Sequence, residues 1–418
     1  MKELELYIND PESPKLIELE GNMVFRISKD NTFSLGRTCN KSGCDITRSD
    51  IIIDGSRAMI TVFIEENLSF DFSVFRIMRE ASNVTLRNLN VKVFVKYKES
   101  VKDKLFSIYN YGEGTRLENI NIYMKSEAQV NMRGIANFAD KADRWSAKGD
   151  NLLITDSKII IDCLPENFTE KCEICGIHNE NADSISVQNC YVKTVIEGCG
   201  PEQVAMGIYT SGKFGRFVGN NVKASGRHPK ARLREKAHAI GFVNKGEYSL
   251  ISSNNIVGER GGFCAGLDNY GKFTRIGGNK ILATHAIIGS TVRNKANDTV
   301  IDSNVITSTC RHAKLIEHTA SDSIITGNYM RVLLNRPQEI TGCGIYAVGD
   351  KVINNIISGN HIRQILNCGI FAEEKCGVID TTNIVFSYNG NITKTTPTEH
   401  PEFIELFDED KIKSLTDE

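Results

Sequence analysis

Three side chains near the middle of the chain have the types and spacing that proton abstraction beside a carboxylate requires: Lys245, Tyr270 and Asp268. That reaction needs a base, an acid and a cation that stabilises the enolate-like charge. If Gly241 and Gly266 open equivalent strands of neighbouring repeats, Lys245 and Tyr270 lie about 5 Å apart. Asp268 then shares an outer face with Tyr270, because alternate residues of a strand point the same way. We predict these three side chains as catalytic.

Further polar residues extend this set. Tyr209, His178 and Glu180 occupy outward positions of earlier repeats, so we add them to the predicted catalytic residues. The segment 226–238 is strongly basic in a chain whose net charge is -2, and it suits a carboxylate, sulfate or phosphate group. An ordinary charged loop with oligomer contacts is an equally good interpretation. The predicted substrate-binding residues are Arg227, His228, Lys230, Arg232, Arg234, His238, His285, Arg311, His312, His318 and Trp145, whose ring is of a kind that stacks on sugars.

Glycoside hydrolysis needs a different arrangement of acids. Its two carboxyl groups stand about 5 to 9.5 Å apart. Glu180 and Asp268 are the central outward acids, and three repeats separate them, or about 14 Å at one strand spacing per repeat. A hydrolase built from these strands alone is therefore disfavoured. Acids of the loops leave hydrolysis open, and they are Glu166, Glu197, Glu202 and Glu235.

A repeated signature predicts the elements that position these residues. It consists of an apolar residue, two small or polar residues, an asparagine, any residue and another aliphatic residue. Copies occur at 46–51, 86–91, 117–122, 154–159, 187–192, 217–222, 251–256, 276–281, 301–306, 325–330, 357–362 and, in a weaker form, 388–393. The irregular period and the short β-branched runs favour a β-solenoid of about eleven turns over a helical repeat.

The asparagine position predicts a buried ladder. It is filled by Asn220, Asn254, Asn279, Asn304, Asn328, Asn360 and Asn391. Asparagines stacked one strand spacing apart, about 4.8 Å, pass amide hydrogen bonds from turn to turn and satisfy buried turn backbone. A surface loop has no need of such repetition.

With this ladder and the Gly-Ile pairs at 134–135, 176–177, 207–208, 344–345 and 369–370, the chain resembles the right-handed parallel β-helix, or pectin-lyase-like, superfamily over residues 46–395. The resemblance implies that the ladder lies in the turn between the second and third strands of each coil. The Gly-Ile segment is then the first strand, and a variable loop precedes it. The resemblance also implies that substrate lies across the outer face of the first sheet.

Strand alternation then sorts each first strand into inward and outward residues. The inward residues form a predicted second polar ladder of Asn110, Asn137, Asn179, Thr210, Asn244, Asn269 and Ser290. The outward residues are Tyr109, Tyr111, Ala136, Phe138, His178, Glu180, Tyr209, Ser211, Val243, Lys245, Asp268, Tyr270, Gly289, Thr291, Ile316, His318, Tyr346, Val348, Phe371 and Glu373. Polar residues concentrate from His178 to Tyr270, and this clustering favours a binding groove.

Composition narrows the remaining possibilities for the 418 residues. A net charge of -2 disfavours general binding to nucleic acid or membrane surfaces. No run approaches the roughly 20 apolar residues that span a bilayer, and no signal peptide is recognised, so we expect a cytoplasmic protein or one released without a classical leader. Most of the twelve cysteines, which are spread along the chain, are expected to be reduced, partly buried thiols. No metal site and no cofactor is expected. We predict an N-terminal cap at 1–45, a β-helix at 46–395 and an acidic tail or cap at 396–418.

The predicted function is that of a polysaccharide lyase or uronate epimerase, acting on an acidic saccharide by proton abstraction. The Gly-His-Gly, Trp-Ile-Asp-His and Asp-Pro-His-Asp motifs of polygalacturonases, pectate lyases and alginate epimerases are absent, so the catalytic assignments rest on position. One alternative is a glycoside hydrolase or fructan-type transferase that uses loop carboxylates. Another is a non-catalytic saccharide-binding or structural β-helix, such as a spike or adhesin. A homo-oligomer such as a trimer is compatible with each.

Overall fold

The computed structural model describes residues 1–27, 41–68, 70–97, 101–139, 149–165, 171–197, 202–227, 237–333, 341–365, 367–379, 382–387 and 394–399. The chain divides into two compact units. Unit 1 comprises Met1–Gly198 and Glu202–Arg216, and unit 2 comprises Cys199–Pro201 and Phe217–Glu418. Both are built almost entirely from β-strands. Among the described residues, no helix has the length and apolar character that crossing a bilayer demands.

Unit 1 begins with the helix α1 and continues as strands. Its elements are α1 Lys2–Asn9, β1 Leu16–Ile27, β2 Lys41–Ile46, β3 Ile52–Ile64, β4 Phe72–Ile77, β5 Thr85–Arg87, β6 Asn90–Val95, β7 Val101–Asn110, β8 Arg116–Glu118, β9 Asn121–Ser126, β10 Val130–Phe138, β11 Leu153–Thr155, β12 Lys158–Cys163, β13 Cys172–Glu180, β14 Ser186–Gln188, β15 Tyr191–Glu197 and β16 Gln203–Thr210.

Unit 2 continues the same pattern of strands. Its elements are β17 Arg216–Val218, which opens on the last residue of unit 1, β18 Asn221–Arg227, β19 His238–Asn244, β20 Leu250–Ser252, β21 Asn255–Glu259, β22 Phe263–Asn269, β23 Arg275–Gly277, β24 Lys280–Thr284, β25 Ile288–Asn294, β26 Val300–Asp302, β27 Val305–Ser308, β28 His312–His318, β29 Ile324–Thr326, β30 Tyr329–Val332, β31 Thr341–Ala347, β32 Asn355–Ser358, β33 His361–Ile365, β34 Cys368–Ala372, a 3-10 turn Glu374–Cys376, β35 Gly377–Ile379, β36 Ile384–Ser387 and β37 Lys394–Thr395.

Most coils contribute a first strand, a three- or four-residue second strand and a third strand, as β10, β11 and β12 do, whereas β3 spans the second and third positions of its coil. Equivalent strands of successive coils pair in parallel. In unit 1 the first sheet runs β2-β4-β7-β10-β13-β16, and in unit 2 it runs β19-β22-β25-β28-β31-β34-β37. Inward aliphatic residues stack in register, as Ile108, Ile135 and Ile177 do, and they are fully buried. The fold is the parallel β-helix, as the sequence predicts.

The first copy of the signature, at 46–51, is wrongly placed. Ile46 ends the first-sheet strand β2 and aligns with Ile77 of β4. The corresponding turn of that coil lies within β3, where Ile53 aligns with Leu86 and Ile60 with Val91. The domain boundaries at 45 and 395 stay a prediction, and residues 400–418 of the predicted tail lie outside the described residues.

The predicted asparagine ladder is present in unit 2. Each Nδ2 donates to the Oδ1 of the next asparagine at 2.9 to 3.0 Å, through Asn220, Asn254, Asn279, Asn304, Asn328, Asn360 and Asn383. Each Oδ1 also accepts the backbone N–H of the preceding member, as in Asn254 N to Asn279 Oδ1 at 2.9 Å. The ladder lies in the turn between the second and third strands, as expected. Asn383 follows Asn360, whereas the predicted member Asn391 lies outside the described residues.

The second polar ladder lies at the carboxyl ends of the first strands. In unit 1, Asn110 donates to Asn137 at 2.7 Å, Asn137 to Asn179 at 2.7 Å and Asn179 to the Thr210 hydroxyl at 3.0 Å. In unit 2 the series at the first strands is Asn244, Asn269, Asn294 and His318, and His318 Nε2 lies 3.0 Å from Oδ1 of Asn355, which begins the second strand β32. The prediction is confirmed except at Ser290, which aligns with Ala265, and the ladder position of that coil belongs to Asn294.

Candidate functional site

A network of charged side chains lies on the outer face of the first sheet of unit 2. Asp268 on β22, Arg293 on β25 and Glu317 on β28 are neighbours in register. Arg293 forms two hydrogen bonds with the Asp268 carboxylate, one of them from Nε to Oδ1 at 3.0 Å. Glu317 accepts hydrogen bonds from Lys314 Nζ at 3.1 Å and from the Ser290 hydroxyl at 2.7 Å. The charges therefore alternate from strand to strand and are paired.

Burial sets the protonation of this network. Asp268 is only 1% exposed, and this burial raises the pKa of its carboxyl, while the Arg293 guanidinium opposes the rise. Burial alone lowers the pKa of Arg293, but the Asp268 carboxylate outweighs it and raises that pKa. Burial also acts to raise the pKa of Glu317, yet Lys314, Ser290 and Arg293 lower it below the ordinary value. Glu317 is therefore a stable carboxylate at neutral pH.

Beside this network lies an exposed row of cations around one phenol ring. Lys245 follows β19, Tyr270 follows β22 and Lys295 follows β25, and all three are exposed. Lys245 Nζ lies 5.9 Å from the centroid of the Tyr270 ring, and Lys295 Nζ lies 5.6 Å from it. Backbone hydrogen bonds keep the three residues aligned on adjacent coils, because Tyr270 N donates to Asn244 O at 2.7 Å and Lys295 N donates to Asn269 O at 2.8 Å. The structure thus brings Lys245 and Tyr270 together as predicted.

Two predicted binding histidines lie at the amino ends of first-sheet strands in unit 2. The His238 ring is 5.5 Å from that of Phe263, over which the Arg293 guanidinium lies at 4.8 Å. His312 Nδ1 is 2.7 Å from the Thr341 hydroxyl, and burial together with Arg311 lowers the pKa of His312. Through Phe263, His238 adjoins the charged network.

Three further predicted binding residues of unit 2 have different positions. His285 is exposed, has a φ of 55° and makes a hydrogen bond from the ring to Thr284 at 2.7 Å. Arg311 is exposed and directly precedes β28. His318 is wrongly predicted to face outward: it is fully buried, bonded to Asn294 and Asn355, because it continues the inner ladder.

The register of two coils explains what the sequence interpretation missed. The sequence interpretation placed Gly289 and Thr291 on the outer face of the sheet. Arg293 aligns with Asp268, however, so the outward residues of that coil are Arg293 and Lys295. In the next coil the outward residue is Glu317 rather than Ile316. The signal that finds them is the spacing of the inner ladder, which is 25 residues from Asn244 to Asn269 and from Asn269 to Asn294, then 24 to His318.

The predicted catalytic residues of unit 1 form a separate group on the outer face of its own first sheet. The His178 and Tyr209 rings stack with centroids 4.6 Å apart and planes 11° from parallel. His178 Nε2 lies 3.3 Å from Glu180 Oε2. Burial lowers the pKa of His178, with the Glu180 hydrogen bond opposing, and that same hydrogen bond lowers the pKa of Glu180. The structure therefore brings His178, Glu180 and Tyr209 together.

Sequence reasoning missed the buried ion pair that lies on this face of unit 1. Arg133 on β10 pairs with the Glu173 carboxylate on β13, and its Nη1 donates to Glu173 O at 2.7 Å. Aromatic rings continue along the face, with Tyr109 stacked on Phe106 at 4.5 Å and tilted against Tyr111 at 4.5 Å. Two carboxylates, one imidazole and several flat rings are thus available here for binding a ring compound.

Several predicted residues fall outside the description. Trp145, His228, Lys230, Arg232 and Arg234 lie outside the described residues, as do Glu166 and Glu235, and the side chain of Arg227 is not described. Glu197 ends β15 and Glu202 directly precedes β16. Across the part of the chain that the structure describes, no group of three or more potential ligands stands together for a metal ion. Every cysteine in that part is buried and free of disulfide bonds, as predicted.

No protein-family model matches the chain. No curated protein matches it either. Solved structures with similar folds are the Dettilon tailspike protein, 13% identical with a TM-score of 0.45, and the E. coli bacteriophage HK620 tailspike in complex with pentasaccharide, 11% identical with a TM-score of 0.41. The alignments cover 73% and 91% of this chain and 62% and 56% of the tailspikes, so the chain spans about three fifths of their length.

A third similar structure is the A-module of a mannuronan C-5 epimerase from Azotobacter vinelandii. It is 11% identical over 90% of this chain and 91% of the module, with a TM-score of 0.39. At such identities and scores, these structures are similar to the chain in the path of the backbone alone.

Proposed function

We propose that the protein is a carbohydrate-active enzyme that abstracts a proton from an acidic saccharide, as a lyase or a uronate epimerase. The observation that carries this proposal is the exposed row of Lys245, Tyr270 and Lys295 on the first sheet of unit 2. Two lysine amino groups on either side of a phenol suit a sugar carboxylate whose neighbouring carbon loses a proton: one neutralises the carboxylate and the other accepts the proton.

Each member of the row has a role in the proposed reaction. Lys295 neutralises the carboxylate and stabilises the enolate-like charge that develops on it. Lys245 acts as the base in its neutral amine form and takes the C5 proton as the carbon–hydrogen bond breaks. In elimination, the C4–oxygen bond then breaks and Tyr270 donates its proton to the leaving oxygen. In epimerisation, Tyr270 instead donates its own proton to C5 from the opposite face of the ring.

The charged network beside the row supports it mechanically. The paired Asp268, Arg293 and Glu317 hold three successive strands in register, so the side chains that follow those strands stay one strand spacing apart. Asp268 therefore has a positioning role in this proposal, in place of the catalytic role that the sequence predicts. Its bidentate contact with Arg293 and its burial keep it from the substrate.

The test is mass spectrometry of acidic and neutral oligosaccharides incubated with the protein in heavy water. We expect deuterium uptake at C5, or an unsaturated fragment that is lighter by one water than the fragment that hydrolysis would give. Replacing a general acid or base costs about 100-fold or more, so Lys245→Ala and Tyr270→Phe are each expected to lower turnover by that factor. Lys280→Ala, an exposed lysine on a third strand of the same unit, is the matched control.

Glycoside hydrolysis is the alternative outcome of the same experiment. Cleavage with incorporation of heavy oxygen from water and no deuterium exchange would establish hydrolysis and overturn the lyase or epimerase. Binding without any turnover would indicate a saccharide-binding protein.

A further inference from the structure

A cavity of about 480 Å³ opens on the outer face of the third strands of unit 2, on a different sheet from the row of Lys245, Tyr270 and Lys295. Its walls are Tyr329 and Arg331 of β30, Arg363 and Gln364 of β33, and Phe386 of β36. This volume lies within the range of about 300 to 1,000 Å³ that small-molecule sites occupy. The proposed function assigns nothing to this cavity.

The cavity contains two arginines on adjacent strands. Arg331 and Arg363 are direct partners in the parallel register, so their side chains leave the sheet about 4.8 Å apart. Like charges placed so close destabilise a sheet. Among the described residues no carboxylate pairs with either arginine, whereas Arg293 and Arg275 of the same unit are paired with Asp268 and Asp302. In the part of the chain that the structure describes, no carboxylate compensates the repulsion between Arg331 and Arg363.

Hydrogen-bonding groups in the cavity are also left unsatisfied. The Nε of Arg331 is buried and has no acceptor among the described residues. Leaving such a donor unpaired is costly, and native structures rarely do so without a reason. Arg363 donates from Nε to His361 Nε2 at 3.0 Å, so its terminal nitrogens remain for another acceptor. An acceptor that carries negative charge would satisfy both arginines at once.

Flat rings form the rest of the wall. The Arg363 guanidinium lies 5.2 Å from the centroid of the Phe386 ring, which is 54% exposed. The His361 ring lies between the others, 5.3 Å from Tyr329 and 5.7 Å from Phe386. A stacked guanidinium presents its N–H groups in the plane, where they form paired hydrogen bonds to carboxylate, sulfate or phosphate oxygens. The exposed aromatic face beside it favours a ligand with a ring.

We propose that this cavity binds an oxyanion carried on a ring, with Arg331 and Arg363 holding the oxyanion and Phe386 contacting the ring. The shared chemistry is that of a sugar or aryl group bearing a phosphate, sulfate or carboxylate. This assignment does not depend on catalysis at the first sheet, and each can fail without the other.

Calorimetric titration of the full chain tests the proposal, with phenyl phosphate, glucose 6-phosphate, glucuronate, inorganic phosphate and phenol as probes. We expect at least one ring-bearing oxyanion to bind, at least about tenfold more tightly than inorganic phosphate and more weakly at higher salt. Phenol is expected not to bind. Comparing the affinities for the two sugar or aryl phosphates with the affinity for glucuronate shows whether the cavity prefers a phosphate or a carboxylate as its oxyanion.

The single variants Arg331→Met and Arg363→Met are each expected to lower the affinity for the probe at least about tenfold, because each loses charged hydrogen bonds to the oxyanion. Arg331→Lys keeps the positive charge but loses the planar guanidinium, so its affinity for the probe is expected to lie between those of the wild type and Arg331→Met. Arg275→Met, which removes an arginine paired with Asp302 on another strand of the unit, is the control and is expected to bind normally.

Thermal unfolding with and without the probe gives a second readout. The probe is expected to raise the Tm of the wild type and not of Arg331→Met, because binding to the folded state stabilises it. The unliganded Arg331→Met protein is expected to be at least as stable as the wild type, because one member of a repelling pair is removed. The proposal is overturned if no oxyanion binds at millimolar concentration, if inorganic phosphate binds as tightly as the ring probes, or if both arginine variants bind as the wild type does.

Discussion

The turn between the second and third strands is built differently in the two units. In unit 1 its interior is filled by Leu89, Ile120, Ser157 and Cys190, all buried. In unit 2 the same position holds the asparagine ladder from Asn220 to Asn383. The residue before this position has a left-handed backbone in both units, with φ of 53° at Asn119 and 65° at Gly278. Turns of both units therefore have a residue with left-handed backbone. The inner position after it is filled either by an asparagine amide, as in unit 2, or by a mostly apolar side chain, as in unit 1.

The two solutions differ in how they satisfy the turn backbone. In unit 2 one amide per coil accepts the backbone N–H of the preceding turn and donates to a carbonyl, as Asn279 does with Asn254 N and Ile251 O. In unit 1 the inner residues are mostly apolar, and Ser157 alone among those four carries a hydroxyl, which accepts from Ile120 N at 3.0 Å. Unit 1 places its asparagines outside instead, where Asn119 donates to Asn88 at 2.9 Å.

The largest effect is expected from Asn279→Leu in unit 2. The substitution fills the space but leaves the Asn254 N–H buried without its acceptor and breaks the side-chain bonds to Asn254 and Asn304, which costs on the order of 3 kcal/mol. The urea midpoint followed by circular dichroism measures it. Lys280→Ala, at the exposed position directly after Asn279, is the control and is expected to change stability by less than about 0.5 kcal/mol. If Asn279→Leu also changed stability by less than about 0.5 kcal/mol, the asparagine ladder would only fill space, as the apolar residues of unit 1 do.

A pH-dependent effect is expected from the inner ladder at the first strands, where unit 2 has His318 and unit 1 has Thr210. Burial lowers the pKa of His318, and its hydrogen bond to Asn355 opposes this in part. The unfolded chain, with an ordinary pKa of about 6.5, therefore binds a proton more readily than the folded protein. The stability that neutral His318 supplies is complete above about pH 6.5 and is lost as pH falls through the lower folded pKa.

His318→Asn tests this difference. The wild type is expected to lose up to about 1.4 kcal/mol per pH unit through this one group, and the variant to show a shallower decline between pH 7 and pH 5. Urea midpoints at the two pH values measure the slope. His285→Asn, at an exposed position whose φ of 55° suits asparagine, is the control. Equal slopes for the wild type and His318→Asn would exclude His318 as the titrating group.

The smallest effect is expected from Ser157→Ala in unit 1. It removes the acceptor of one backbone N–H, that of Ile120, and is expected to cost about 1 kcal/mol. The neighbouring turns of the unit already use apolar residues at this position, so the coil tolerates the change. If Ser157→Ala cost as much as Asn279→Leu in the same urea titration, the two units would depend equally on inner polar groups.

The comparison also shows where prediction from sequence succeeded in the site. Lys245 and Tyr270 were paired correctly, because each follows an inner asparagine by one residue and those asparagines are 25 residues apart. Arg293 and Lys295 were missed, because Thr291 and Val292 replace the Gly-aliphatic pair used to locate the strand. His318 was misplaced for the same reason: a shift of one residue in the assumed strand position moved it to the outer face.

The sequence by itself determined the coil, the asparagine ladder of unit 2 from Asn220 to Asn360 and the first-strand ladder of that unit as far as Asn269, because these depend on local periodicity and on residues that recur at a nearly constant spacing. Only the tertiary structure decided which outward side chains meet. Asp268 with Arg293, and Arg331 with Arg363, are pairs whose partners lie 25 and 32 residues apart on neighbouring coils, and their contact depends on loops of unequal length between them. Outward positions accept almost any residue without disturbing the core, so their pattern carries no periodic signal, and their chemistry appears only when the coils are stacked in register.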